Sequence, residues 1–244
     1  MGVLVKDKVA LVTGANRGIG KSIVEAFLTE GAKKVYLAVR DVNNVADLVE
    51  AYGDRVSPIR VDVSDDETVK AAAEAAKDVQ ILVANAGIVA ANDIVSGEAE
   101  NEFRRELDVN VFGLLRLVRA FLPALKENED TALVQLNSVA SIKSFAGIAT
   151  YSVSKAASYS LTQAFRDMLV GDNVQVLSVH PGPIETDLTK DLELGEMGST
   201  SEVAQGIVTS LANGEFHLFP DAVAKNFEGA YDSFAKSIVE AELA

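Results

Sequence analysis

Apolar residues fall along this chain in two alternating rhythms. Short, continuous apolar runs rich in Val, Ile and Leu occupy 9–13, 35–39, 59–63, 79–84, 133–137 and 174–179, with a short seventh strand at 215–219. Between them lie stretches with helical spacing at 22–30, 44–52, 67–77, 98–126, 151–170, 201–212 and 222–242. Strands that are apolar throughout, rather than at alternate positions, are buried on both faces. Strands that alternate with helices build a parallel sheet with right-handed crossovers. The pattern predicts one doubly wound α/β domain over 1–244, with about seven parallel strands and helices on both faces. Pro123 predicts a break or bend in the long 98–126 helix. The polar segment 185–200, with Gly195 and Gly198, follows the sixth strand and so lies where ligands bind in such sheets. It reads as a substrate-loop lid or as a plain surface loop.

Composition narrows the chemistry. The 244 residues include no cysteine, which excludes a thiol nucleophile, a disulfide framework and a cysteine metal site. His180 and His217 are the two histidines, too few for a histidine-built metal cluster. A net charge of −14 argues against nucleic acid and anionic membrane as partners. No apolar run approaches the ~18 residues of a membrane span. The N-terminus lacks a basic region followed by an apolar stretch, so no signal peptide is expected. Lys6 stands where a myristoylation site after Gly2 needs Ser or Thr. The expectation is a cytoplasmic protein.

Two local patterns carry candidate chemistry. Thr13-Gly14-Ala15-Asn16-Arg17-Gly18-Ile19-Gly20 joins the first strand to the first helix. Glycines there allow a tight turn and close approach of a pyrophosphate, and the helix N-terminus offers N–H groups and a positive dipole end. The spacing differs from both the G-x-G-x-x-G fingerprint and the Walker A loop. Tyr151 and Lys155, four apart on a helix, share one face. A nearby ammonium favours phenolate, so the spacing predicts a tyrosine with a lowered pKa, suited to proton exchange with an alcohol or carbonyl oxygen. Taken alone, such a pair more often means packing and a solvated amine.

Order and spacing bring these signals together. The glycine turn follows strand one, Asp62-Val63 closes the third predicted strand, and Asn85-Ala86-Gly87 closes the fourth. Asn110 lies in the long helix and Ser138 closes the fifth strand. Tyr151 and Lys155 come next, and Pro181-Gly182-Pro183-Ile184 closes the sixth strand. Up to about residue 219 the chain resembles the short-chain dehydrogenase/reductase family. That resemblance implies a Rossmann-like fold and a carbonyl reductase or alcohol dehydrogenase activity. It makes Tyr151 the general acid of carbonyl reduction and the base of alcohol oxidation. Lys155 would lower the tyrosine pKa and bond the nicotinamide ribose, and Ser138 would polarise the substrate oxygen. Asn110 would hold a relay water through its main-chain carbonyl.

The resemblance also implies a cofactor cradle of Gly14, Asn16, Arg17, Gly18, Ile19 and Gly20. The Asp62 side chain would meet the adenine, Val63 would line the cofactor site, and Asn85, Ala86 and Gly87 would run beside the adenosine half. Pro181 and Gly182 would join the cofactor site, and the pair Ile184 and Thr186 would contact the nicotinamide carboxamide. NAD sites place a carboxylate at the end of the second strand. By alignment with the family that position is Val39, followed by Arg40 and Asp41. Arg40 and Arg17 could clamp a 2′-phosphate, so NADP(H) is the expected cofactor, with NAD(H) the alternative through Asp41. Taken one at a time, Ser138 and Asp62 also read as capping residues and Asn110 as a mid-helix polar residue. His180 reads as a hydrogen-bonded structural group near the sixth strand's end, His217 as structural or surface-exposed.

The expected substrate rim is largely apolar: Ile88, Val89, Ala90, Ile142, Phe145, Ile184, Leu188, Leu192, Leu194 and Met197. A hydrophobic ketone or aldehyde, aryl-substituted ones included, fits it, with Ser138, Phe145 and Tyr151 as substrate contacts. One alternative is reduction of 3-oxoacyl groups on an acyl carrier protein, with Arg116 and Arg119 as docking cations. Another is a non-catalytic NADP-binding sensor or scaffold. The 222–244 tail carries Phe227, Tyr231, Phe234, Ile238 and Val239 near helical period. It would pack on its own domain, cover a neighbour's pocket or line a dimer seam. A homodimer or homotetramer is expected.

Overall fold

The computed structural model describes residues 2–91, 94–186, 189 and 197–240. Seven parallel strands form one sheet in the order β3-β2-β1-β4-β5-β6-β7. They are β1 (Val9–Thr13), β2 (Lys34–Val39), β3 (Val56–Arg60), β4 (Ile81–Ala84), β5 (Thr131–Leu136), β6 (Val174–Val179) and β7 (His217–Leu218). The helices are α1 (Gly18–Thr29), α2 (Ala46–Tyr52), α3 (Asp66–Ala75), α4 (Ala99–Leu107), α5 (Gly113–Glu127), α6 (Ala149–Leu169), α7 (Thr200–Asn213) and α8 (Ala222–Phe234).

Each sheet face carries its own core. On one, α1 and α7 bury Ile23, Phe27, Ile207 and Leu211 against β1, β2 and β6. On the other, α3, α5 and α6 bury Val69, Leu117, Phe121 and Phe165 against β1, β4 and β5. Phe27 and Phe121 are fully buried, each contributing roughly 1.5–3 kcal/mol. The order of strands reverses between β1 and β4, so a crevice opens at their carboxyl ends.

Three elements differ from the sequence pattern. The third strand covers Val56–Arg60, so Asp62 and Val63 lie in the loop beyond it. The 98–126 helix is interrupted at Asp108–Phe112 by a π turn, while Pro123 lies inside α5. Asn110 in that turn exchanges hydrogen bonds with the Ile88 backbone, and Arg116 donates to the Asp108 backbone and carboxylate. These bonds to other parts of the chain favour the wider turn. The seventh strand is two residues long, because Phe216 and Phe219 on either side turn into the cores. Of the tail, α8 packs Phe227 and Tyr231 against a small cluster of Val139, Phe219 and Ala224, on its own sheet. Residues 187–188 and 190–196 of the expected lid, Leu188, Leu192 and Leu194 among them, and residues 241–244 lie outside the described residues.

Candidate active site

The carboxyl ends of the strands are bolted together by side chains. Thr13 Oγ1 donates to the Val83 carbonyl at 3.2 Å and accepts from the Asn85 and Ala86 amides at 2.9 and 3.0 Å. Asn85 Nδ2 returns a bond to the Thr13 carbonyl at 2.8 Å. Thr13 was absent from the sequence-based candidates. Its signal is a polar residue ending a wholly apolar strand, where backbone groups lose their ladder partners.

Gly14 has φ +67°, and a Cβ on Gly20 would come within 2.2 Å of the Gly14 carbonyl, so the turn needs both glycines. Helices α3, α7 and α8 are capped by Asp65, Ser199 and Asp221. At α1 the capping position is Arg17, which supplies no side-chain cap, and the first turn has no acidic residue. The α1 N-terminus therefore faces the crevice with a positive field, which fits a pyrophosphate.

A cleft of about 630 Å³ runs from this turn to Tyr151 and Lys155. Gly14, Asn16, Arg17, Gly18, Ile19 and Gly20 form one end of its wall. Arg40, Asp62, Val63, Asn85, Ala86, Gly87 and Pro181 also line it, and Thr186 lines it beside Gly18 of the glycine turn. Gly182 turns away: its N–H donates to Asp221 Oδ2 at 2.7 Å. The Ile184 side chain is buried in the core on the α1 side of the sheet, so of the nicotinamide-side pair only Thr186 lines the cleft.

Arg40 is exposed at the cleft edge, beside buried Val39. The Asp41 carboxylate accepts from Asn43 N and Nδ2 at 3.0 and 2.9 Å, which engages it in its own turn. Asp62 likewise holds a turn, accepting from Ser64 N and Oγ at 3.0 and 2.7 Å. Burial works to raise its pKa, but the Ser64 bonds and the fields of Arg40 and Arg60 outweigh burial and lower it.

At the other end, α6 carries Tyr151 and Lys155. The Lys155 ammonium is buried and donates to the Leu136 carbonyl at 2.7 Å, and it lies 5.8 Å from the centre of the Tyr151 ring. Burial lowers its pKa to about 8. Burial also dominates at Tyr151 and pushes the phenol up to about 12; a hydrogen bond with Ser138 opposes this and the Glu106 carboxylate adds to it. The net shift is opposite to the one that the Tyr–Lys spacing predicts. Desolvation of the buried phenolate sets the direction, and the ammonium, 5.8 Å from the ring centre, does not reverse it.

Ser138 caps a short turn, accepting from Ala140 N at 3.1 Å. His180 is fully buried and braces that turn: Nδ1 lies 3.0 Å from Ser141 Oγ and 3.3 Å from the Ser138 carbonyl, and Nε2 lies 2.7 Å from Ser178 Oγ. Asn110 is buried, and its main-chain carbonyl, which the resemblance assigns to a relay water, accepts from Ser158 Oγ at 2.6 Å. His217 bonds Tyr159 at 2.6 Å and Glu240 at 2.8 Å, a tie between the tail and α6. Phe145 packs near Phe227 of α8, ring centres 6.5 Å apart, and Ile142 joins the small cluster there instead of an open rim. Ile88 lines the cleft. Glu106 was also absent from the sequence-based candidates; its signal is a carboxylate one turn before Asn110 on the buried side of α4.

Comparison with known proteins gives a consistent picture. The family model described as short chain dehydrogenase matches residues 8–196. An uncharacterized oxidoreductase of Staphylococcus saprophyticus is 33% identical over 201 residues, covering 79% of this chain and 85% of that protein. A short chain dehydrogenase from Burkholderia cenocepacia, solved in complex with NADP, is 32% identical, with a TM-score of 0.87 over 96% of this chain and 97% of that one. A 3-ketoacyl-(acyl-carrier-protein) reductase from Brucella melitensis, complexed with NADH, is 26% identical, with a TM-score of 0.78 over 88% of this chain and 97% of that one. A doubly wound sheet of this strand order, a glycine turn opening onto an uncapped helix, and these matches over most of the chain have one reading: the chain is an oxidoreductase of the short-chain dehydrogenase family.

Proposed function

We propose that this protein is an NADPH-dependent reductase of hydrophobic ketones and aldehydes, with reversible oxidation of the secondary alcohols. The observation that carries this reading is Tyr151, on one helix one turn from buried Lys155, lining a cleft that begins at the glycine turn. When bound, the dihydronicotinamide supplies a hydride to the carbonyl carbon. Tyr151 gives its phenolic proton to the oxygen as charge develops there, and Ser138 donates a second hydrogen bond to that oxygen. Lys155 holds positive charge nearby and, with the cofactor bound, would hydrogen-bond its ribose. A phenol kept protonated to about pH 12 suits the donor role.

NADPH preference is supported by Arg40 and Arg17 on the cleft wall, by apolar Val39, and by the engagement of Asp41 with Asn43. The Burkholderia relative is an NADP complex and the Brucella relative an NADH complex, which leaves NADH as the competing cofactor. Reduction of 3-oxoacyl groups on an acyl carrier protein is favoured by the name of the Brucella relative. Against it, Arg116 is paired with Asp108 and Arg119 with Asp66, so neither cation presents a bare docking charge. A homodimer or homotetramer is supported by apolar surface on neighbouring elements at Phe112, Leu115 and Val153. Sedimentation as a monomer at micromolar concentration would reject it.

The test is NADPH oxidation, followed by absorbance, against a panel of aryl ketones and a 3-oxoacyl thioester. Turnover of ketones supports the proposal. Turnover of the thioester alone favours the acyl reductase. Tight NADPH binding with no turnover of either favours a cofactor sensor.

A further inference from the structure

The ring of His180, at the end of β6, stacks on Phe219 with centres 5.0 Å apart and meets Tyr159 edge-on at 4.6 Å. That packing fixes the ring plane, so each nitrogen has its own polar neighbours. Nε2 faces Ser178 Oγ, while Nδ1 faces Ser141 Oγ and the Ser138 carbonyl. A neutral imidazole has one donor and one acceptor, and the neighbours decide which nitrogen is which.

Both ends of this network give the same answer. On the Nε2 side, Thr162 Oγ1 donates to the Ser158 carbonyl at 2.8 Å, so it accepts from Asn137 Nδ2, 3.2 Å away. The same amide nitrogen donates to Ser178 Oγ at 2.9 Å. The Ser178 hydrogen is left for His180 Nε2, which is therefore the bare nitrogen. On the Nδ1 side, Ser141 Oγ donates to the Ser138 carbonyl at 2.5 Å, so it accepts from Nδ1, which carries the hydrogen. Burial disfavours the imidazolium, which would set an Nε2 donor against the Ser178 hydroxyl.

We propose that His180 is a positioning residue for Ser138: with its hydrogen on Nδ1, it completes a one-way chain of hydrogen bonds from Asn137 through Ser178 and Ser141 that ends on the Ser138 carbonyl. This rests on the reductase reading above, in which Ser138 holds the substrate oxygen. Two backbone bonds already join the strand ends in one sense, from Asn137 N to the Val179 carbonyl at 2.8 Å and from Val139 N to the Pro181 carbonyl at 3.0 Å. The His180 side chain supplies the tie in the opposite sense, from the β6 end back to the β5 end. The Ser138 hydroxyl itself meets the Pro181 carbonyl at a long 3.4 Å, so its place depends on the backbone that this clasp fixes.

The first test is nitrogen-15 NMR of the labelled, cofactor-free protein. The chain has two histidines, so a His217→Gln variant assigns the signals. At pH 7 His180 is expected to show the neutral Nδ1–H ring; a solvated neutral histidine favours Nε2–H. An Nε2–H ring or an imidazolium overturns the proposal. The second test is kinetic. His180→Asn sets an amide N–H near the place of Nδ1–H and is expected to keep kcat for ketone reduction within about threefold, whereas His180→Leu, with no donor, is expected to lower it about tenfold at unchanged NADPH affinity. Should His180→Leu fail to fold, His180→Phe keeps the stack on Phe219 and is expected to give the same loss. Equal kcat in the variants with and without the donor overturns the proposal. An Nδ1–H ring in a protein that reduces no carbonyl overturns only the reductase reading.

Discussion

Lys155 directs one hydrogen of its ammonium to the Leu136 carbonyl oxygen, 2.7 Å away at the last residue of β5. That bond pins the side chain against the sheet and leaves two donors free to face the cleft. On the proposed assignment these meet the cofactor ribose and supply positive charge near Tyr151. Lys155→Met is therefore expected to lower kcat by at least ~10²-fold and to weaken NADPH binding. It also removes one of the two side-chain donors to the Leu136 carbonyl, Gln135 Nε2 at 3.2 Å being the other, at a cost of about 0.5–1.5 kcal/mol in stability. Steady-state kinetics and urea unfolding measure the two effects. Lys155→Arg is not a rescue, because a planar fork does not fit the place of a compact ammonium.

Arg40 is the residue on which cofactor choice is expected to turn. Its guanidinium is exposed at the cleft edge, while the nearest carboxylate on the same strand end, Asp41, is bonded to Asn43. Arg40→Ala is expected to raise KM for NADPH about tenfold, some 1.4 kcal/mol, and to leave KM for NADH unchanged. Equal effects on both cofactors, or none, would return the choice to Asp41.

Much of this was legible from residue pattern, because strands buried on both faces are apolar without interruption. The exceptions have physical causes. Strand β3 is the sheet edge: its side chains alternate between covered and open and include Pro58, so it carries no apolar run. Val61 and Val63, just beyond it, are buried against the α5 side and mimic a strand. The π turn at Asn110 depends on bonds to Ile88 and from Arg116 that periodicity does not encode. The direction of the Tyr151 shift depends on how much water reaches the phenol, which spacing along a helix does not reveal.

His180 makes stability pH-dependent. Burial is the main cause that lowers its pKa to about 3, against the usual 6.5. The unfolded chain therefore takes up a proton that the fold refuses, and stability is lost as pH falls below about 6.5. Between pH 7 and 5 the loss is about 2 kcal/mol. Thermal melts across that range are expected to show a falling Tm, with a flatter profile in His180→Asn. An equal slope in both proteins would assign the acid sensitivity to other groups, His217 first among them.

Asp221 joins α8 to the strand ends. It is buried, accepts from Gly182 N at 2.7 Å and from Ala224 N at 3.0 Å, and so caps the helix and the turn at once. Asp221→Ala is expected to destabilise the fold by roughly 1–3 kcal/mol by unfolding assay, since both amides lose their acceptor.

The central claim is that the Tyr151 phenol moves the proton. Kinetics of Tyr151→Phe, with NADPH and a reducible aryl ketone, test it most directly. The account predicts unchanged folding, NADPH affinity within about twofold, and a fall in kcat of at least ~10²-fold. A Tyr151→Phe protein that keeps its kcat would contradict it.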